Sequence, residues 1–109
     1  VYEATITAAR PLPDSNVSMI ASFEIPASTD WKPPYQFQPS LFINISNELQ
    51  SKVEALKAYH YEIRKPPHPR SKEMTEAGAF RWGSLSGYDA SEAFEIIRLR
   101  LNDLSVVSI

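Results

Sequence analysis

The residues best suited to chemistry lie in one short proline-rich stretch, Pro66-Pro67-His68-Pro69-Arg70-Ser71. Its prolines restrict the backbone on both sides of His68, and Arg70 adds a guanidinium just before a predicted helix N-terminus. An imidazole, a guanidinium and the positive end of a helix dipole together suit an anion or a developing oxyanion. The alternative is a rigid turn between two helices that exposes His68 and Arg70 to solvent.

A zinc site is not predicted within the chain. His60 is the only other histidine, and no cysteine occurs, whereas a catalytic zinc site takes about three protein ligands of His, Asp, Glu or Cys type. His60 lies between Tyr59 and Tyr61 on a predicted helix, where a partly buried or surface histidine is the usual interpretation. We therefore assign no metal ligand and no cofactor to this chain.

A second candidate region follows a predicted strand that contains Glu24. Its hydroxyls, carboxylate and indole are close together in sequence: Ser28, Thr29, Asp30 and Trp31. Strand ends in α/β sheets are where ligands usually bind, so Ser28, Thr29 and Trp31 are candidates for substrate binding. The alternative is that the hydroxyls cap a turn and that Trp31 packs on the core. Glu24 and Asp30 do not form a convincing acid/base pair.

Composition argues against several classes of partner. The net charge is −2, with acidic and basic residues interspersed, so no strong field attracts nucleic acid or anionic lipid. No apolar run approaches the roughly 18 residues of a membrane-spanning helix, and the first residues lack the layout of a signal peptide. Phosphate-binding glycine loops and nucleophile elbows are also absent. We expect a globular cytoplasmic protein that binds neither nucleic acid nor a membrane.

The first half of the chain predicts a helix and two strands. Val1 to Arg10 has near-helical apolar spacing and stops at a proline-rich turn, which indicates the end of a helix. Asn16 to Ile25 alternates apolar and polar residues as strands do, and Leu41 to Ile45 is a short apolar run of strand type. Between them, the prolines of Pro26 to Pro39 predict a long ordered loop.

The second half predicts two helices and one ambiguous element. Asn47 and Gln50 resemble a capping pair that opens a helix, with an apolar stripe running from Leu49 through Val53 and Leu56 to Ile63. Pro66-Pro67 should stop that helix, and the Ser71 hydroxyl should cap a second helix that fades near Gly83. Ala93 to Leu101 fits a helix face and a strand equally well. The whole chain, residues 1–109, is predicted to be one α/β unit.

Four segments, in order, resemble the C-terminal region of PIG-L/LmbE-type N-deacetylases. They are Phe23-Glu24-Ile25-Pro26-Ala27-Ser28-Thr29-Asp30-Trp31; Leu41-Phe42-Ile43-Asn44-Ile45-Ser46 with its helix through Lys57-Ala58-Tyr59; Pro67-His68-Pro69-Arg70-Ser71; and Arg81-Trp82-Gly83-Ser84 through Ala93-Phe94-Glu95. Together they span nearly the whole chain.

The resemblance implies the C-terminal portion of a Rossmann-like, three-layer α/β sandwich. It also implies hydrolysis of an N-acetyl group on a glucosamine-type substrate, with a zinc ion that polarises the amide and activates water. It favours a strand over Ala93 to Leu101. It makes His68 the catalytic candidate, and it places Arg70 with Ser28, Thr29 and Trp31 as candidates for substrate binding.

The zinc-binding motifs of that family, Ala-His-Pro-Asp-Asp and His-x-Asp-His, do not occur here. The helix at Val1 to Pro13 resembles the one that follows the second motif, so we expect a partial domain that is inactive alone. Its expected partner is a missing N-terminal half, or a further copy of the chain. The competing hypothesis is a free-standing binding or oligomerisation module without catalysis, whose exposed strand edges would be covered by assembly.

Overall fold

The computed structural model describes residues 1–25, 36–59 and 64–103, and these form a mixed α/β domain. In chain order the elements are α1 (Tyr2–Ala8), β1 (Met19–Phe23), β2 (Leu41–Asn44), α2 (Leu49–Lys57), α3 (Lys72–Ser86) and β3 (Ser91–Leu99). Within these residues, no helix has both the length and the apolar character of a membrane span.

The strands of the described part form one antiparallel sheet with the order β1-β3-β2. Phe94 of the central strand lies opposite Phe23 on one side and opposite Leu41 on the other. The strand prediction for Ala93 to Leu101 is confirmed, because β3 covers most of that segment. The predictions of strands at residues 16–25 and 41–45 are confirmed in their central parts, as β1 and β2.

Helix α3 covers one face of this sheet. Its Trp82 ring lies 6.4 Å from the Phe42 ring of β2, measured between centroids, and Ala93 of β3 is buried on the same face. Helix α2 packs against α3. A small core forms where these elements meet: Ile45, Ala79 and Ala90 are its buried apolar residues, and Leu49 packs against them. Val53 of α2 is also buried.

The cap predicted for α3 is confirmed. The Ser71 hydroxyl accepts a hydrogen bond of 3.1 Å from the backbone N–H of Met74, and Ser71 itself is fully buried. This bond satisfies one of the donors that a helix N-terminus leaves without an intrahelical partner.

The cap predicted for α2 is wrong. The N-cap residue is Glu48, without a side-chain cap bond, and the Gln50 amide donates instead to the Glu54 carboxylate at 3.0 Å. The reason is a turn just before the helix. The carboxamide oxygen of Asn44 accepts from both the N–H and the hydroxyl of Ser46, so the helix begins beyond Asn47.

Both predicted helix ends also need correction. Helix α2 ends at Lys57, well before Pro66-Pro67, and the N–H of Tyr59 bonds to the Leu56 carbonyl at 3.1 Å, which tightens the last turn. Helix α3 continues past Gly83 to Ser86 and ends at Gly87, whose φ of 85° is the left-handed conformation that glycine adopts without strain.

Two further predictions concern the N-terminal helix and the loop from Pro26 to Pro39. The N-terminal helix is confirmed as α1, and the Arg98 guanidinium donates to the Ala9 carbonyl at its end. In the predicted loop from Pro26 to Pro39, residues 36–39 are neither helix nor strand, and residues 26–35 lie outside the described part. His60 and Ile63 lie outside it as well.

Candidate functional site

A groove of about 760 Å³ opens between α3, the end of α2, the sheet and the loop before α3. Its volume lies within the range of roughly 300–1,000 Å³ that is usual for small-molecule sites. Most of its wall is apolar, and the larger apolar side chains on the helical side are those of Leu56, Tyr59, Met74 and Trp82.

Trp82 of α3 connects the helix to the end of β1. Its indole N–H donates a 2.8 Å hydrogen bond to the carboxylate of Glu24, which directly follows β1. The Phe37 ring stands edge-on to the indole, with centroids 6.0 Å apart. Because both its N–H and its ring are held, Trp82 presents a fixed surface to the groove.

We expect Trp82 and Glu24 to be energetically coupled through this hydrogen bond, because both residues are half-buried and one of them is a carboxylate. In a double-mutant cycle of Trp82→Phe and Glu24→Ala, the coupling free energy of unfolding should be about 1 kcal/mol. Urea denaturation of the four proteins measures it.

A control cycle uses Glu73 where the first cycle uses Glu24. Glu73 is an exposed residue in the first turn of α3, far from the Trp82 indole. Trp82→Phe combined with Glu73→Ala should give a coupling near zero. Equal coupling in the two cycles would mean that Glu24 and Trp82 have no specific interaction.

The groove wall includes a buried serine, Ser91, whose hydroxyl bonds to the half-buried Ser86 of α3. Ser91, only 1% exposed, lies 2.8 Å from the Ser86 hydroxyl, which also donates to the Trp82 carbonyl at 2.8 Å. Nearby, the Lys52 ammonium and the Glu92 carboxylate form an ion pair at 2.8 Å. These contacts join α3 and α2 to the first residues of β3, and therefore hold the groove walls together.

The loop before α3 is closed by its own hydrogen bonds. The N–H of His68 bonds to the Lys65 carbonyl at 3.1 Å, and the N–H of Ser71 bonds to the His68 carbonyl at 2.9 Å. The Nδ1 atom of His68 accepts from the N–H of Arg70 at 3.0 Å. In a neutral ring with this bond the proton resides on Nε2, which makes Nε2 a donor.

Of the predicted site residues, His68 and Arg70 are described, and neither is among the residues that line the groove. His68 and Arg70 are half-buried on the loop that supplies Pro67 and Pro69 to the groove wall. Ser28, Thr29 and Trp31 lie outside the described residues.

Two residues of the groove were missed by the sequence interpretation, Trp82 and Glu24. Both residues occur in segments that resemble the deacetylases, but the sequence predicts neither of them as a site residue. The two are far apart in sequence, so no local pattern indicates their contact.

The described residues do not fit a zinc site. Across residues 1–25, 36–59 and 64–103, His, Cys, Asp and Glu side chains nowhere come together in a group of three or more that could hold a metal ion.

Comparison of the chain with models of known protein families finds no match, and comparison with curated protein sequences finds none either.

Proposed function

We propose that this chain is the substrate-binding, C-terminal portion of a zinc-dependent N-deacetylase that acts on a glucosamine-type substrate. One observation supports this most strongly: residues from all four segments that resemble such enzymes line the same groove. They are Glu24 from the first segment, Tyr59 from the second, Pro67 and Pro69 from the third, and Trp82 from the fourth. Segments distant in sequence that meet at one concave surface are expected if they serve one site.

The proposal includes a Rossmann-like parent fold. Antiparallel strands are common at the edge of a mostly parallel sheet, and β1-β3-β2 would be such an edge. Within the described residues, the outer edge of β1 has no paired strand, so further strands can extend the sheet there. The zinc ligands would belong to that further part of the protein.

In this proposal, His68 and Arg70 act from the loop that contributes Pro67 and Pro69 to the groove wall. The Nε2–H of His68 is suited to donate to the amide oxygen of an N-acetyl group as negative charge develops on it. Arg70, on the same loop, would bind a polar substituent of the amino sugar. Trp82 and Glu24 would form the wall against which the sugar packs.

The test is acetate release from N-acetylglucosaminyl substrates by the protein that the complete reading frame around these residues encodes. Release should stop when a chelator removes the metal and return when zinc is added. If the frame is split, mixing this chain with the separately made remainder should restore the activity. A folded, zinc-loaded protein that releases no acetate from any such substrate would contradict the proposal.

A second candidate function is a binding or oligomerisation module. It is supported by the sheet face opposite α3, where Phe23 is 67% exposed and Ile43 is 47% exposed. Exposed apolar side chains beside an open strand edge favour association. Sedimentation velocity decides this alternative: a stable dimer or larger assembly supports it, and a well-folded monomer removes it.

A further inference from the structure

Three of the four described charged residues that line the groove have partners inside the protein, and the fourth, Arg81, is exposed. Lys52 pairs with Glu92 at 2.8 Å, and the Glu24 carboxylate accepts the Trp82 indole N–H at the same distance. A charged ligand group placed there would have to displace one of these contacts. A charged group of the ligand would therefore gain little at these positions, so we expect the ligand to be neutral there.

The apolar side chains of the groove, in contrast, are exposed to water. Tyr59 after α2 is 68% exposed, and Met74 in the first turn of α3 is 44% exposed. They come from two separate parts of the chain and line one groove together with Leu56 and Trp82. Covering such a surface removes apolar area from water, which is favourable in proportion to the area.

We infer that the groove binds a planar apolar substituent, so that the preferred substrate is an N-acetylated amino sugar with an aryl-type group rather than the free sugar. The inference rests on the proposed function. Aromatic walls favour a flat ring because ring pairs gain from offset or edge-on contact beyond their buried area. The polar sugar and its N-acetyl group would then extend towards the loop of His68 and Arg70.

The experiment compares kcat/KM for N-acetylglucosamine with kcat/KM for its 4-nitrophenyl glycoside, using the protein encoded by the complete reading frame. We expect the aryl glycoside to be favoured roughly 10- to 100-fold, the range that one apolar group gives in an apolar pocket. Tyr59→Ala and Met74→Ala should each reduce this ratio several-fold. Phe80→Ala should not change it, because Phe80 is an exposed aromatic of α3 outside the groove.

Direct binding separates failure of this inference from failure of the proposed function. If acetate is released from both sugars at equal rates, the deacetylase proposal stands and the inference is overturned. If neither sugar is hydrolysed, calorimetric titration with the aryl glycoside decides: binding weakened by Tyr59→Ala supports the inference, and no binding overturns it.

Discussion

Replacing Gly83 by alanine should lower the free energy of unfolding by roughly 3 kcal/mol, at the upper end of the usual cost of overpacking. A Cβ at this position would lie 2.5 Å from the carbonyl oxygen of Tyr88 and 2.8 Å from the carbonyl carbon and oxygen of Asp89. All three are backbone atoms, so no flexible side chain can move aside. Urea denaturation measures the effect as a lower midpoint with an unchanged slope.

Gly78 provides the matched control in the same helix. A Cβ there would meet no atom within 4 Å, and Gly78 lies inside α3. Gly78→Ala should therefore stabilise the protein by about 0.5–1 kcal/mol, because alanine is the better helix former. If both substitutions raise the midpoint, helix propensity rather than close approach determines the outcome at Gly83.

The close approach at Gly83 explains how the groove is built. The N–H groups of Gly87 and Tyr88 both bond to the Gly83 carbonyl, at 2.8 and 3.0 Å, so the chain folds back tightly after α3. This return places Ser91 against Ser86 and starts β3 directly beside the helix. Gly83→Ala should therefore also disturb the groove wall.

Gly83 also explains why the end of α3 was predicted too early. Glycine in a helical pattern usually indicates a terminus, and the Gly83-to-Gly87 stretch contains two of them. Only the tertiary structure separates their roles: Gly83 is required by a packed backbone segment, and Gly87 by its left-handed conformation. Sequence-local rules describe the second role and contain no information about the first.

Local chemistry was sufficient elsewhere. The Ser71 cap needs only its own helix, and β2 needs only a short apolar run, so both followed from the sequence. The pair of Asn47 and Gln50 had the correct spacing, but the Asn44 carboxamide organised the preceding turn instead. Competing local hydrogen bonds of similar strength are difficult to rank from sequence alone.

The candidate site also combines features that are local in sequence with features that depend on tertiary packing. The loop of His68 and Arg70 could be recognised because its prolines and its helix cap are contiguous. The contact between Glu24 and Trp82 could not, because it depends on how α3 lies across the sheet. The strand register could not be predicted either. Phe94 lies opposite Phe23 and Leu41 only in the observed alignment of the three strands.

The largest effect on activity is expected from His68. In the protein encoded by the complete reading frame, His68→Ala should lower kcat by about 10²- to 10³-fold, the usual loss when one oxyanion donor is removed. Zinc content should hardly change, because His68 is not proposed as a ligand. Steady-state kinetics and metal analysis of the purified variant test both statements.

His68→Asn separates a chemical role from a structural one. The Asn carboxamide oxygen can replace Nδ1 as the acceptor for the Arg70 N–H, so the loop bond of 3.0 Å should be retained. The Nε2–H donor, however, has no equivalent in that side chain. If Nε2 stabilises the reaction, His68→Asn should be nearly as slow as His68→Ala while unfolding at the wild-type denaturant midpoint. Restoration of wild-type kcat by asparagine would instead assign His68 to the support of its loop, and would leave Arg70 as the polar candidate of that segment.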